Sequence, residues 1–384
     1  MSKWTVSVTT LLAATIGASL MGCASHHPRN ADVASPGAMN TRSADDGGRP
    51  APAATAPLRT MGYQIEWFVP SALSDGCRFL DPAGDIILVH DGRNVLTARE
   101  ASTGQRRWGA TLATPVAKFV GNMRIDDRIV VSGESEVQYL SARTGDLLDR
   151  QRLAALANTP PLHMGRFLIY GCATGEVLGH DMVTGYKKWG HMLEGRITAD
   201  PVQTGSRAFA VSQTGEIIAI DPDSGRGSRP KRPLYDGLDN SPVADARIAV
   251  IAGLDQSIYA FNHSDLSLRW RIRTDAPLKD QPTLANRTAY VAVPTSGMKA
   301  IDASAGAEKW TATGVQGSVI ATNAGDLIVW DGSTLYRLDA TSGDVIASET
   351  LPGVTKVVAD GFDDASLYLV MTDGTLAKYT RRAR

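Results

Sequence analysis

Tryptophans at 67, 108, 189, 270 and 310 are separated by 41, 81, 81 and 40 residues, one or two multiples of a unit near 40. A fixed period of this length marks an array of units that each bury their hydrophobic face against a neighbour. A repeat of that size, rich in β-branched residues and short turns, has room for four antiparallel strands. That is one blade of a propeller.

The turns carry the period more fully than the tryptophans do. The clearest copies are Glu100-Ala-Ser-Thr-Gly104-Gln-Arg-Arg-Trp108, Asp181-Met-Val-Thr-Gly185-Tyr-Lys-Lys-Trp189 and Asp302-Ala-Ser-Ala-Gly306-Ala-Glu-Lys-Trp310. Ser141 to Gly145, Asp221 to Gly225 and Asp339 to Gly343 are weaker copies, and Asn262 leads to Leu266 where Gly is replaced. The first residue of the motif falls at 100, 141, 181, 221, 262, 302 and 339. Gly suits a tight turn that demands positive φ, and an Asp or Asn side chain can accept bonds from the turn amides. Upstream of the turns lie paired strand candidates, such as Arg128-Ile-Val-Val-Ser with Val137-Gln-Tyr-Leu and Leu367-Tyr-Leu-Val with Leu376-Ala-Lys-Tyr. Such runs, bounded by Gly, Asp and Ser, predict antiparallel hairpins.

An eighth copy is split between the ends of the chain. Gly374 to Thr380 matches the pre-turn strand, and Gln64-Ile-Glu-Trp67-Phe-Val supplies the missing last strand. Pairing them closes an eight-bladed all-β ring and leaves no long unpaired edge at the seam. Trp67, Trp108, Trp189, Trp270 and Trp310 are then expected to pack between adjacent blades, each N–H finding a backbone partner. A stacking surface for sugars or a cofactor is the competing reading. Asp149, Arg229 and Ala347 stand where three copies lack Trp, and Trp330 is out of register.

The N-terminus has a different character. Lys3 and an uncharged apolar segment from Val6 to Met21 precede Leu20-Met21-Gly22-Cys23. This is read as a lipoprotein signal peptide over 1–22, with Cys23 as the lipidated residue; an ordinary cleaved signal with an incidental Cys is the alternative. Residues 23–62, with Pro28, Pro36, Pro50, Pro52 and Pro57 among small and charged residues, read as a flexible linker that spans about 35 Å as a coil. The propeller is assigned to 63–384. Ala24 rather than Asp after the Cys points, by the sorting habit of such lipoproteins, to the outer membrane. His26 and His27 read as solvated tether residues.

With 43% hydrophobic and 21% charged residues the chain is suited to a large core, and its net charge of −1 argues against nucleic acid as a partner. Cys77 and Cys172 fall in blades that are not neighbours and read as two buried thiols. No metal-ligand cluster, nucleophilic triad or phosphate loop is apparent, and no cofactor is expected. The pairs Asp126-Asp127 and Asp363-Asp364 read as turn residues.

The turn motif resembles the repeat of the PQQ-like, quinoprotein-type propellers over about residues 63 to 380. One branch, the PQQ-dependent dehydrogenases, is characterised by a Trp platform, a metal, an Asp base and often an adjacent-Cys disulfide. No vicinal Cys pair is present here. The other branch is the BamB-type lipoproteins of the outer-membrane β-barrel assembly machinery. The chain resembles these in its lipobox, its tether, its eight units and the segment Asp373-Gly-Thr-Leu-Ala-Lys-Tyr-Thr-Arg381.

That resemblance implies a non-catalytic periplasmic scaffold, a monomer within a complex. Its loops would bind the periplasmic domains of the barrel assembly protein while a lipid anchor holds it to the membrane. By the family's spacing, the contacts fall on Arg196, five residues before Pro201, and Asp239, three before Pro242. Leu193 matches an apolar contact, and Asp236 lies one place from a second acid, whose own position is Gly237. A repeat-wide loop motif is the competing reading of these positions. The loop Arg226-Gly-Ser-Arg229-Pro-Lys231-Arg232 reads as a solvated connection or a minor electrostatic contact. The wider alternatives are a quinone-binding or ligand-binding redox propeller, and a general periplasmic interaction module.

Overall fold

The computed structural model describes residues 51–70, 72–73, 75–229 and 234–382. Residues 1–50, and with them the signal segment, Cys23, His26 and His27, lie outside the described residues, as do Lys231 and Arg232. The β-branched runs pair as antiparallel meanders into eight four-stranded sheets among the described residues. The third blade is representative, with strands Leu162–Met164, Phe167–Gly171, Glu176–Asp181 and Tyr186–Met192 in that order. Counting along the chain, the first blade begins at Cys77, the second at Phe119, the fourth at Val202 and the fifth at Val243. The sixth begins at Thr283 and the seventh at Ser318.

The eighth blade closes the ring as the sequence predicts. Val354–Ala359, Leu367–Met371 and Leu376–Arg381 are joined by Tyr63–Val69, paired antiparallel from Tyr63 with Arg381 to Val69 with Leu376. No outer strand is left missing at the seam.

Burial follows position within each blade. Second strands such as Ile248–Gly253 and Thr288–Val293 are buried throughout, because neighbouring blades cover both of their faces. Outer strands such as Leu268–Arg273 are mostly exposed. The core is accordingly divided among the interfaces between blades. Between the first and second blades, Ile86, Leu88, Leu96 and Trp108 meet Phe119, Ile129, Val131 and Leu140. The other seven junctions are filled in the same way.

One segment departs from the sequence reading. Residues 54–62, read as the end of the linker, are part of the packed structure. Thr55–Thr60 forms a short helix, α1, and Ala54, Leu58 and Met61 are fully buried against the seventh and eighth blades. Thr55 Oγ1 lies 3.0 Å from the Tyr379 hydroxyl, and Asn323 Nδ2 donates to Met61 O at 3.2 Å. A proline-rich composition concealed three apolar positions that together form one side of a helical turn.

Cys77 and Cys172 form no disulfide. Cys172 is buried, and burial pushes its thiol up to about 12; Cys77 is only half-buried. Asp126 and Asp364 occupy turns at positive φ. Asp364 Oδ1 also accepts from Ala324 N at 2.6 Å, and its carboxylate pairs with Arg381 on the closing strand.

Candidate functional site

The tryptophans are joints between blades. Each indole reaches from an outer strand to the turn of the next blade and donates its N–H to the residue after the turn's first position. Trp67 bonds Ala101 O at 3.0 Å, Trp108 bonds Ala142 O at 2.9 Å, and Trp189 bonds Pro222 O at 2.7 Å. Trp270 and Trp310 bond Ala303 O and Ala340 O at 3.0 and 3.1 Å. The ring lies flat on the turn glycine. A Cβ on Gly104 would come within 2.6 Å of Trp67, and one on Gly145 within 2.5 Å of Trp108. Gly is thus required twice over, by positive φ and by the indole pressed against its Cα. The turn carboxylates act as the sequence suggests: Asp302 Oδ1 accepts from the amides of Ser304 and Ala305, both at 2.9 Å.

The opening at the ring axis bears on the redox reading. A cavity of about 570 Å³ runs along the inner strands of the third to seventh blades, lined by Leu162, Val202, Gln203, Val243, Gln281 and Val319 among others. None of its lining side chains is charged. A carboxylated quinone held with a metal ion needs cations and carboxylates, whereas this wall offers aliphatic, hydroxyl and amide groups. The residues on this side of the axis, from the third to the seventh blade, do not fit that cofactor.

The inner strands of the first two blades carry a polar cluster. Asn122 Nδ2 donates to Asp81 Oδ2 at 3.1 Å, and the buried His90 ring lies 3.3 Å from both Asn122 Oδ1 and Asn94 Oδ1. Burial raises Asp81 to about 6 against the opposing influence of Asn122 and Lys356.

The predicted partner loops lie at the opposite ends of the strands from the tryptophan-docked turns. Residues 193–201 connect the third blade to the fourth, and 234–242 connect the fourth to the fifth. The hairpin turn 212–216 of the fourth blade lies between them and bonds to both. Gln213 N donates to Arg196 O at 2.7 Å and Thr214 Oγ1 to Glu194 O at 2.6 Å, while Leu234 N donates to Gly215 O at 3.0 Å. Gly237 is pressed on the same hairpin, so closely that a Cβ would fall 1.7 Å from Gln213 O. This explains why an acidic side chain cannot occupy position 237.

The fold therefore brings Arg196, Asp236 and Asp239 to one face, all three exposed. Arg196 and Asp239 have no side-chain partner among the described residues; Asp236 Oδ1 accepts from Gly237 N at 2.9 Å. Leu193 does not join them. Its side chain is 4% exposed and packs with Ile169, Val177 and Ile197, because its amide is tied to Gly175 O and turns the residue inward. It is core, and the reading of Leu193 as an apolar contact is corrected.

The exposed apolar groups on this face are others. Tyr235 is 75% exposed, held by the Arg271 guanidinium 5.1 Å from its ring centre, and Met192 is 57% exposed. Sequence reasoning missed Tyr235, although it directly precedes Asp236. Arg229 is not free to serve as an electrostatic contact, since it donates to Met192 O at 2.6 Å and pairs with Glu216 at 3.7 Å.

Comparison with known proteins agrees with this architecture. No curated protein matches the chain in sequence. The crystal structure of BamB from Moraxella catarrhalis is similar with a TM-score of 0.64 at 17% identity, covering 84% of this chain and 98% of that one. The computationally designed Ika8 protein is similar with a TM-score of 0.67 at 14% identity, covering 81% of this chain and all of its own. At these identities both likenesses concern the fold alone. The family model described as outer membrane protein assembly factor BamB matches residues 133–228 and 227–377. Across that span, which takes in the loops around Arg196 and Asp239, the chain belongs to the BamB family of outer membrane protein assembly factors.

Proposed function

We propose that this propeller is a non-catalytic periplasmic scaffold, lipid-anchored through Cys23 to the outer membrane, which holds the periplasmic domains of the β-barrel assembly protein during insertion of outer-membrane proteins. The observation that carries the reading is the face on which Arg196 and Asp239 project, without side-chain partners among the described residues, from two loops fixed to one hairpin. Unpaired charges on rigid loops steer and orient a partner at little cost in stability. Tyr235, rather than Leu193, supplies the apolar anchor, since partly desolvated aromatics ringed by charge dominate binding at such surfaces. The ring positions these loops and supplies no chemistry.

Affinity capture of the full-length protein from its native envelope tests the proposal. The barrel assembly protein is expected in the eluate, and its recovery is expected to drop with Tyr235→Ala and with Arg196→Ala combined with Asp239→Ala. Recovery without that protein, or capture indifferent to these substitutions, would refute it. Mass spectrometry of the N-terminal peptide checks the anchor, with an acylated Cys23 expected.

A further inference from the structure

Tyr235 is 75% exposed, yet it ends a column of stacked groups that starts in the core. Phe261 and Tyr259 are buried at the interface of the fourth and fifth blades, with ring centres 6.1 Å apart and planes 17° from parallel. The Arg271 guanidinium lies over the Tyr259 ring and over the Tyr235 ring, 5.1 Å from each centre. One cation therefore couples an exposed aromatic to a buried one.

The fifth blade departs from its neighbours in the way it places that cation. In the second and third blades the carboxylate that opens the third strand, Glu136 or Glu176, pairs with an outer-strand cation, Arg150 or Lys187. The fifth blade's third strand, Ser257–Asn262, opens with Ser257, and the carboxylate stands two residues earlier, at Asp255 in the hairpin turn. Arg271 follows it there. Its Nη2 donates to Asp255 Oδ2 at 3.1 Å and to Ser257 Oγ at 2.9 Å, and its Nε donates to Ser257 Oγ at 3.1 Å. The Tyr259 hydroxyl donates to the same Asp255 oxygen. These bonds hold the planar guanidinium by its edge and leave its faces to the rings. The turn is in its own right tied to the connection that carries Tyr235, through Leu254 N to Gly237 O at 3.0 Å.

We propose that Arg271 is a positioning residue for partner binding, which presents the Tyr235 ring in one pose to the barrel assembly protein without itself having to touch it. This role depends on Tyr235 being the apolar anchor of that interface, as proposed above. An aromatic anchor on a loop loses rotamer freedom when a partner packs on it, and a ring already held over a guanidinium has less to lose. Lysine keeps a positive charge beside Asp255 but offers no planar face. Arg271→Lys therefore removes the clamp without leaving this carboxylate, only 8% exposed, uncompensated.

Two measurements on the full chain separate the clamp from the anchor. Fluorotyrosine incorporated at position 235 gives a single fluorine resonance in the free protein. A line shifted from that of a fluorotyrosine peptide is expected, and in Arg271→Lys it is expected to return toward the peptide value. Binding of the purified barrel assembly protein is then titrated. Arg271→Lys is expected to weaken it about fivefold, the equivalent of one exposed cation–π contact. In the Tyr235→Ala background the same change is expected to add nothing. A fluorine line unmoved by Arg271→Lys, or a loss of binding that adds in full to that of Tyr235→Ala, would overturn the positioning role. Parental binding by Tyr235→Ala would overturn the anchor, and with it the part of Arg271 in binding, even where the fluorine line moves.

Discussion

The junction between the first and second blades and the one between the second and third share a turn but not its plug. At the first, Trp108 lies on Gly145 and bonds Ala142 O; at the second, the smaller Gln151 lies over Gly185, donates to Met182 O and Asp149 Oδ2 and accepts from the Tyr139 hydroxyl. The backbone of the turn is the same in both, with φ of 77° and 75° at the glycines. What differs is how much of the gap is filled. Turn geometry is therefore set within a blade, while the tightness of the ring is set between blades, one side chain at a time. A scaffold built this way can leave one joint open without losing its fold, since each junction has its own core.

The largest effects are expected where the plug is removed. Trp108→Ala empties a packed joint and strips a carbonyl of its donor, with a loss of about 3–5 kcal/mol in chemical denaturation. Trp67→Ala acts on the closing blade and is expected to match it. A smaller pair of substitutions isolates the socket itself. Gly145→Ala incurs both left-handed strain and a clash with the indole, about 2–5 kcal/mol together, whereas Gly185→Ala incurs only the strain, about 1–2 kcal/mol. Equal losses at the two glycines would break the comparison.

Titration separates two further sets of carboxylates. Asp81 is raised to about 6 by burial, so the folded protein holds more protons than the unfolded one between about pH 4 and 6. Stability from this group falls as pH rises through that window. Asp81→Asn is expected to stabilise the protein by about 1–3 kcal/mol near pH 7 and by little near pH 4. The turn carboxylates behave oppositely. Asp302 and Asp339 are held below their usual range by the turn amides, and Asp85 is lowered to about 2 by hydrogen bonds from Arg124 and Arg107. Their contribution is complete above the unfolded carboxylate range and is lost as pH falls through the folded values. A melting temperature that drops steeply below about pH 4 is the expected signature. The smallest effects belong to Arg196 and Asp239, whose replacement by Ala is expected to change stability by no more than about 0.5 kcal/mol.

The ring was legible in the sequence because each blade repeats the same local rules. Period, turn glycines and the strand split between the termini were all visible as residue spacing. The partnership between a tryptophan and the glycine of the following blade was not, since periodicity registers each position separately and not the contact between them. α1 escaped notice because its apolar residues are few and sit among prolines. At the proposed partner face, Arg196 and Asp239 were singled out by resemblance to the family's pattern before proline, and the structure places both on exposed loops fixed to one hairpin. Leu193 misled because a leucine in a loop gives no sign of facing inward, and Tyr235 was missed because an aromatic residue is ordinarily counted toward the core. Only the fold of the hairpin 212–216 reveals which of them meets solvent.

Residues that hold the ring are distinct from those proposed to meet a partner. The most direct test of that division is parallel measurement of melting temperature and envelope capture for Arg196→Ala combined with Asp239→Ala. An unchanged melting temperature with the barrel assembly protein missing from the eluate is the predicted result. A protein that captures that partner undiminished, or one that melts markedly earlier, would contradict it.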